Sequence, residues 1–306
     1  MSFLQGWRKR EEVTDRRDNR AAEVSHWNDV ERRAAGGERL FWLNHPRVAY
    51  HYHGKALIEG LEWQDWIIGK LSGPAEIALE LGCGNGAALA ENLQRGLARK
   101  GVGIDLDVSR FTAKGNVELR ASDVNTIKLE RRKYDLIYAR QSFHHFEALE
   151  HIMEQVSAGL TDRGFFVLDE FVGPSRFQWT DLQLSWVERL LGLMSKDLRR
   201  YANGVEKRSE GRSTPEQVIE VCPSEAIRSA DIVTAFYQHF EVVRRQNLGG
   251  TIQHLLYSGI VQNLADDDPE VDRLVDCIDG IETSLIAAGL LPSDFALLIG
   301  QGKSIR

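Results

Sequence analysis

The stretch ALELGCGNGAAL, residues Ala78 to Leu89, restricts what this chain can fold into more than any other. An apolar run leads into three glycines at alternate positions, Gly82, Gly84 and Gly86, and small residues and leucines follow. That order reads as a strand, a tight loop and a helix. Glycine admits positive φ and lets the backbone come close to a ligand. The start of a helix presents N–H groups that no intrahelical carbonyl satisfies. Such units hold phosphates, dinucleotides or other nucleoside cofactors at the carboxyl ends of sheet strands.

The glycine spacing separates these ligands. A Walker loop needs Gly-x4-Gly-Lys-Ser/Thr, whose lysine and hydroxyl serve phosphate and Mg²⁺. Here Gly86 is followed by Ala87 and Ala88, so that reading fails. A dinucleotide loop prefers Gly-x-Gly-x-x-Gly. In Gly82-Cys83-Gly84-Asn85-Gly86 the third glycine arrives one residue early, which counts against NAD or FAD. A third ligand, S-adenosylmethionine (SAM), brings no phosphates. It needs close backbone contact to its amino-acid end and acidic partners for its ribose.

From Glu76 to Gly173 short apolar runs alternate with amphipathic ones. EIALEL, GVGID, VELRAS, YDLIYA and GFFVLDEF read as strands. AALAENLQRGLARK and HFEALEHIMEQVSAGL read as helices, and DVSRFTA as a turn of helix. This alternation implies parallel strands with right-handed crossovers in a doubly wound α/β sheet covered on both faces. From Pro174 to about Ala230 the alternation stops. A helical period runs through FQWTDLQLSWVERLLGLM, and a Thr-Pro-capped helix follows KRSEGRS. DIVTAFYQHF then reads as helix, FEVVRRQNL as strand and TIQHLLYSGIVQNL as helix. A long helix opens at Asp268-Pro269 and ends near Gly289, before a last strand DFALLIGQG. Ahead of the sheet, residues from about Arg8 to Arg33 carry both charge signs and read as a solvated helix or arm. The aromatic stretch LNHPRVAYHYHGKALIEGLEWQDWIIGKL resembles two short helices, the first opened by Asn44 and Pro46. Its aromatics either pack those helices onto the main domain or form a lid over a ligand.

These elements resemble the class I SAM-dependent methyltransferases. ELGCGNG resembles their first motif, with Glu80 as the carboxylate two residues before the first glycine. GVGIDLD resembles the second motif. Asp105 stands there, about 20 residues beyond the glycines, where a carboxylate would meet a ribose diol, with Leu106 beside it. ASDVNTI resembles the next, which implies Asp123 at the adenine amino group and Val124 at the ring edge. YDLIYARQSFHHF resembles the fourth, placing Ala139, Arg140 and Gln141 beneath the methionine end. LTDRGFFVLDEF matches the fifth strand. The elements keep the family's order across Ile77 to Phe171. The resemblance implies a seven-stranded, mostly parallel sheet whose last strand is inserted antiparallel, with FEVVRRQNL and DFALLIGQG as strands six and seven. It implies a helical arm over residues 1–75 and a SAM-binding domain over 76–306, with a substrate-side helical insertion at about 174–230. The flanks WLNHPRVAYHYHGKAL, FVGPSRFQWTD and LPSDFALLIG look similar to bacterial type-11-like small-molecule methyltransferases.

Methyl transfer from a sulfonium is an in-line displacement, in which alignment is the main task. A hydroxyl acceptor also needs a proton acceptor, and histidine suits neutral pH. His144 and His145 follow the fourth strand and are the candidate bases; capping and packing are their alternative roles. Asp169, Glu170, Arg176 and Trp179 lie at and just beyond the end of the fifth strand, as candidate acceptor contacts. Tyr50, His51 and His53 are candidate lid or acceptor contacts. Two residues apart, the two histidines share a face only in a strand and diverge in a helix. No local cysteine or carboxylate completes a zinc set, so no metal is expected. Cys83 reads as a small buried residue, not a nucleophile.

The formal net charge of −7 speaks against non-specific nucleic-acid binding. Methylases of base or glutamine amines carry Asn/Asp-Pro-Pro-Tyr/Phe after the fourth strand, where this chain has ARQSFHHF. No apolar run spans a bilayer and no secretory pattern opens the chain, so a cytoplasmic protein without membrane partners is expected. Three widely spaced cysteines give no disulfide framework, and nothing in the sequence specifies an oligomer. The expectation is a SAM-dependent methyltransferase acting at a hydroxyl of a sugar or specialised metabolite and releasing S-adenosylhomocysteine. The alternatives are N-methylation of an amino sugar or amine, a SAM-binding partner subunit without turnover and, more remotely, a nicotinamide oxidoreductase.

Overall fold

The structure is a computed structural model that describes residues 16–39, 41–109, 111–112 and 115–303. Residues 8–15 of the charged arm, and Arg110 and Ala113 of the expected DVSRFTA turn, lie outside the described residues. In chain order come the helices α1 (Arg16–Ala35), α2 (Pro46–Ala56) and α3 (Trp63–Leu71), then β1 (Ala75–Leu81), α4 (Ala87–Gln94), β2 (Ala98–Asp105), β3 (Val117–Ala121) and β4 (Tyr134–Arg140). They are followed by α5 (Leu149–Gly159), β5 (Leu160–Phe171), α6 (Asp181–Leu193), α7 (Pro215–Val221), α8 (Ile232–His239), β6 (Phe240–Gly249), α9 (Gln253–Tyr257), α10 (Pro269–Ala287) and β7 (Phe295–Gly302). Short 3₁₀ turns join several of them.

The seven strands form one sheet in the order β3-β2-β1-β4-β5-β7-β6. β1 lies parallel to β2 and β4, β2 to β3, and β4 to β5. An antiparallel pair closes the β6 edge. The sheet is therefore the expected class I methyltransferase arrangement. Burial explains its sequence: Leu79, Leu81, Val102, Ile104, Ile137 and Leu168 are fully or almost fully buried in one core. Parallel strands covered on both faces read as near-continuous apolar runs. α5 adds Leu149, Ile152, Met153 and Val156, the spacing of one helical face. Truncating one of these to alanine costs about 2–5 kcal/mol.

The chain divides into two compact units. One, the sheet unit, comprises Ala56–Val172, Ala226–Asn247 and Ala296–Arg306; the other, the helical unit, comprises Met1–Lys55, Gly173–Glu225 and Leu248–Phe295. This division differs from the one read off the sequence. α3 belongs with the sheet, and residues 248–295 join the N-terminal helices and the insertion. In the helical unit, capping boxes at Thr180/Gln183 and Thr214/Gln217 open α6 and α7, and Asp268 caps α10 ahead of Pro269. The Glu282 carboxylate accepts the N–H groups of Gly250, Ile252 and Gln253 at 2.6–3.0 Å. Lys207 is wholly buried, donating to the carbonyls of Leu255 and Ser258 and pairing with Glu210 at 2.9 Å.

Three element boundaries differ from expectation for local reasons. α4 stops at Gln94 and β2 already begins at Ala98, because Gly96 takes φ +86° and Leu97 N–H bonds back to Asn92. β5 begins at Leu160, as the full run LTDRGFFVLDEF has it and four residues before the shorter run GFFVLDEF, because Leu160 already pairs with Tyr134 of β4. The expected helix over 251–264 is interrupted at Gly259, whose φ of +71° leaves one short helix and one 3₁₀ turn.

Candidate active site

The five parallel strands β1 to β5 of the sheet unit end at a common carboxyl edge, where open α/β sheets bind ligands. The loop after β1 holds Gly82, Gly84 and Gly86 at φ +69°, +52° and +71°. Side-chain crowding demands two of these glycines. A Cβ on Gly82 would stand 2.5 Å from Ser142 Cβ, and one on Gly86 would stand 2.8 Å from Leu119 Cδ2. Gly82 and Cys83 donate their N–H groups to Ile104 O, lashing the loop to β2. Asn85 Oδ1 accepts from Ala87 N–H at 2.9 Å, at the start of α4. Asp105 accepts Gly84 N–H at Oδ2 (2.8 Å) and Leu106 N–H at Oδ1 (2.7 Å). Burial raises the Asp105 carboxyl above its usual range, and these N–H donors oppose the rise.

Glu80 lies beneath the loop and is buried, with the Tyr138 hydroxyl donating to its Oε2 at 3.2 Å. Burial pushes its carboxyl up to about 7, against the charge of Arg140 and the Tyr138 hydrogen bond. Cys83 is buried as well, its Sγ filling the space that Gly103 leaves in β2. Burial and the neighbouring Asp105 and Glu80 carboxylates push its thiol well above the usual range. That is the opposite of what a nucleophile needs.

Asp123 Oδ1 accepts from Asn125 N–H at 2.9 Å and caps the 3₁₀ turn that buries Val124. Ala139 is fully buried in the core, so only its backbone can face a ligand. Gln141 directly follows β4 with φ +50°, and its N–H bonds to Asp169 O at 2.9 Å. A side chain in that region signals a functional constraint more often than chance.

His144 Nδ1 stands 2.5 Å from Glu170 Oε1. Glu170 has no exposed surface and also accepts the N–H groups of Ser142 (2.9 Å), Phe143 (2.6 Å) and Phe171 (2.6 Å). The sequence placed Glu170 among acceptor contacts. Its carboxylate is instead turned inward, because three backbone donors and an imidazole converge on it. The His145 ring packs on His144, centroids 4.2 Å apart.

The remaining expected contacts belong to the helical unit. α2 is a helix, so His51 and His53 diverge. His51 Nε2 meets Asp276 Oδ1 at 2.7 Å beside an Arg47–Asp276 pair, and His53 is exposed. Tyr50 is exposed, with the Arg47 guanidinium over its ring. The Arg176 guanidinium donates to the carbonyls of Pro223 and Glu225, which holds two consecutive positive-φ residues, Arg176 and Phe177. Trp179 is buried, stacked on Phe177 and packed against His254. Two further residues, Ser142 and Asn125, hold the strand ends together. Ser142 abuts Gly82 and donates its hydroxyl to Leu81 O at 2.9 Å. Asn125 accepts the N–H groups of Glu147 and Ala148, tying the Asp123 turn to the start of α5. A small polar residue just past a strand end is the only sequence signal either gave.

The loop carries no lysine and no hydroxyl for phosphate, and the Glu80 and Asp105 carboxylates flank it. That set lacks the groups that hold phosphate in a Walker loop and suits an ammonium joined to a ribose, as in SAM. A family model described as a methyltransferase domain matches residues 62–224, just over half of the chain. No curated protein sequence matches. Among solved structures, the chain is similar to a SAM-dependent methyltransferase from Mesorhizobium loti, with 14% identity, TM-score 0.43, and coverage of 78% of this chain and 94% of that one. It is also similar to a Burkholderia thailandensis 1,6-didemethyltoxoflavin-N1-methyltransferase, with 13% identity, TM-score 0.44, and coverage of 97% and 95%. A third is geranyl diphosphate C-methyltransferase from Streptomyces coelicolor A3(2), with 10% identity, TM-score 0.43, and coverage of 79% and 80%. Likeness at this level says nothing about the acceptor. The family match, with the glycine loop and its two carboxylates, identifies the chain as a member of the methyltransferase-domain family, a class I SAM-dependent methyltransferase.

Proposed function

We propose that the protein methylates a hydroxyl of a small polar acceptor, a sugar or specialised metabolite, with His144 as the proton acceptor. One observation carries this reading: the 2.5 Å contact of His144 Nδ1 with Glu170 Oε1 at the carboxyl end of the sheet. Three backbone N–H groups already donate to Glu170; on this proposal Oε1 also accepts an Nδ1–H from His144, which orients the ring. That tautomer makes Nε2 the basic nitrogen. Glu170 is then a positioning residue and His144 the base, with His145 packed behind it.

SAM, when bound, supplies the electrophilic methyl group. We assign its amino-acid end to the backbone from Gly82 to Gly86 and to Glu80, its ribose to Asp105 and Leu106, and its adenine to Asp123 and Val124. The chain from Ala139 to Gln141 would hold the methionine end, and Asp169 would serve the acceptor. The residues would align the acceptor oxygen, and His144 would take its proton as the oxygen–methyl bond forms and the sulfur–methyl bond breaks, releasing S-adenosylhomocysteine. No helix among the described residues is long and apolar enough to cross a membrane. Cys83, Cys222 and Cys277 form no disulfide, which suits a reducing, cytoplasmic setting.

The test is a tritiated-methyl screen over sugars, sugar nucleotides, phenols and amines, followed by His144→Ala on the acceptor found. A hydroxyl acceptor and a loss of about 10²–10⁴-fold in kcat are expected. An amine acceptor, or turnover unchanged by His144→Ala, overturns the reading.

A further inference from the structure

A chain of buried amides and a phenol leads from α3 to the carboxylate under the glycine loop. Gln64 Nε2 donates to Asn92 Oδ1 at 3.4 Å, Asn92 Nδ2 donates to the Tyr138 hydroxyl at 3.3 Å, and Tyr138 donates to Glu80 Oε2 at 3.2 Å. Four elements take part: Gln64 on α3, Asn92 on α4, Tyr138 on β4 and Glu80 on β1. All four side chains are buried. The Trp63 ring packs on Tyr138, centroids 5.4 Å apart, and helps to hold the phenol in place.

The chain has a direction. Each middle member accepts from the residue behind it and donates to the one ahead, so every donor points toward Glu80. Hydrogen bonds in such a series polarise one another, and a buried series favours the charged form of the group at its end. A glutamate on the first strand needs none of this to pack, since an apolar side chain would fill the same space without desolvating a charge. Buried polar chains that end on a carboxylate instead fix its orientation and its protonation state.

We propose that Gln64, Asn92 and Tyr138 are positioning residues that hold Glu80 as an aimed carboxylate and thereby set the pH range over which the enzyme takes up its methyl donor. The link to the donor rests on the reading above that Glu80 meets the donor's cationic amino-acid end. The charged and titratable groups around Glu80 are few. Tyr138 and Arg140 face it from β4, Asp105 from the end of β2, and Cys83 from the loop. Burial and Asp105 disfavour the charge, while Arg140 and Tyr138 favour it; the balance lies at about 7. Without the Tyr138 hydrogen bond the balance moves upward, and the ammonium of the ligand meets a neutral acid across a wider pH range.

Two measurements on the full-length protein separate the two parts. The first is a carbon-13 carboxyl NMR titration of the ligand-free protein, with the Glu80 signal assigned by its loss in Glu80→Gln. Tyr138→Phe removes one oxygen and is expected to raise the Glu80 midpoint by about one pH unit. Gln64→Met, at the far end of the chain, is expected to raise it by a smaller amount, and serves if the first variant does not fold. Midpoints that coincide with wild type in every folded variant overturn the relay. The second is calorimetric titration with S-adenosylhomocysteine from pH 5.5 to 8.5. Affinity is expected to rise with pH and level off above the Glu80 midpoint, with the profile displaced to higher pH in Tyr138→Phe. A uniform loss of affinity at every pH assigns the relay to packing alone and overturns the proposal. An affinity unaffected by Glu80→Gln, beside a shifted NMR midpoint, leaves the relay standing and removes the Glu80–donor contact.

Discussion

Glu170→Gln tests the catalytic reading most directly. The carboxylate accepts three backbone N–H groups, Ser142 and Phe143 at Oε2 and Phe171 at Oε1, and on the proposal above also the His144 ring N–H at Oε1. Glutamine has one oxygen. If that oxygen keeps the Oε2 place, its amide nitrogen faces Phe171 N–H and His144 Nδ1. Phe171 N–H then loses its carboxylate acceptor, which costs about 1–3 kcal/mol. The same amide donates to Nδ1, moves the imidazole proton to Nε2 and removes the basic nitrogen. The expected loss in kcat is about 10²–10⁴-fold with donor affinity unchanged. Glu170→Ala removes every acceptor at once, orphaning three backbone N–H groups, and is expected to cost roughly 3–5 kcal/mol of stability. The assays are steady-state methyl transfer on the identified acceptor, calorimetry with S-adenosylhomocysteine and urea unfolding. A Glu170→Gln enzyme that folds and retains kcat within about threefold refutes the argument, because the tautomer would then not matter.

Other expectations follow from particular contacts. Gly82→Ala places a Cβ 2.5 Å from Ser142 Cβ, and Ser142 is pinned by bonds to Glu170 and Leu81. Urea unfolding should show a loss of roughly 3 kcal/mol or more. Gly86→Ala meets only the movable tip of Leu119 and should lose about 1–2 kcal/mol; equal losses would contradict this ranking. Asp294 is fully buried, and desolvation followed by Glu282 pushes its carboxyl up to about 8. The native state therefore keeps a proton that the unfolded chain releases from about pH 4 upward. Stability from this group is complete in acid and falls as pH rises toward 8, by up to about 1.4 kcal/mol per unit. Asp294→Asn should flatten that slope in unfolding measured from pH 5 to 9, and an unaltered slope would count against the assignment. Of the three thiols, Cys277 is exposed while Cys83 and Cys222 are buried. Brief iodoacetamide treatment read by peptide mass spectrometry should label Cys277 alone, and early labelling of Cys83 would contradict its packing against Gly103.

The sheet was legible because its signals are local. Alternating apolar runs and helical periods gave all seven strands, and the glycines with Asp105 located the loop. Boundaries were lost where a single backbone conformation decides them, as at Gly96 and Gly259. The helical unit was harder to read because it is assembled from three separate segments, and no local pattern says that residues 248–295 join it. Individual side chains misled for a related reason. His51 sits on a helix face that faces a carboxylate 225 residues further on, and Glu170 turns toward backbone donors 27 and 28 residues back. A sequence window contains neither partner.

The glycines and the dyad carry different information about turnover. Gly82 makes room for Ser142, Gly86 for Leu119 and Gly103 for Cys83, so these positions are required for the sheet unit to close whether or not a methyl group ever moves. Asp105 likewise ties Gly84 to the end of β2 before any ribose is considered. A chain that lost its chemistry could keep this loop for packing alone. His144 and Glu170 are different. A buried carboxylate that collects three N–H donors would be satisfied without an imidazole, and a histidine there adds desolvation with no gain in packing over an apolar ring. On the proposal above, the pair carries the proton transfer and the more recognisable motif does not. Its double-mutant cycle is the place to look for the difference. If His144→Ala and Glu170→Gln together lose no more kcat than either alone, the two act as one catalytic unit. If the losses multiply, they act separately and the orienting role assigned to Glu170 is wrong.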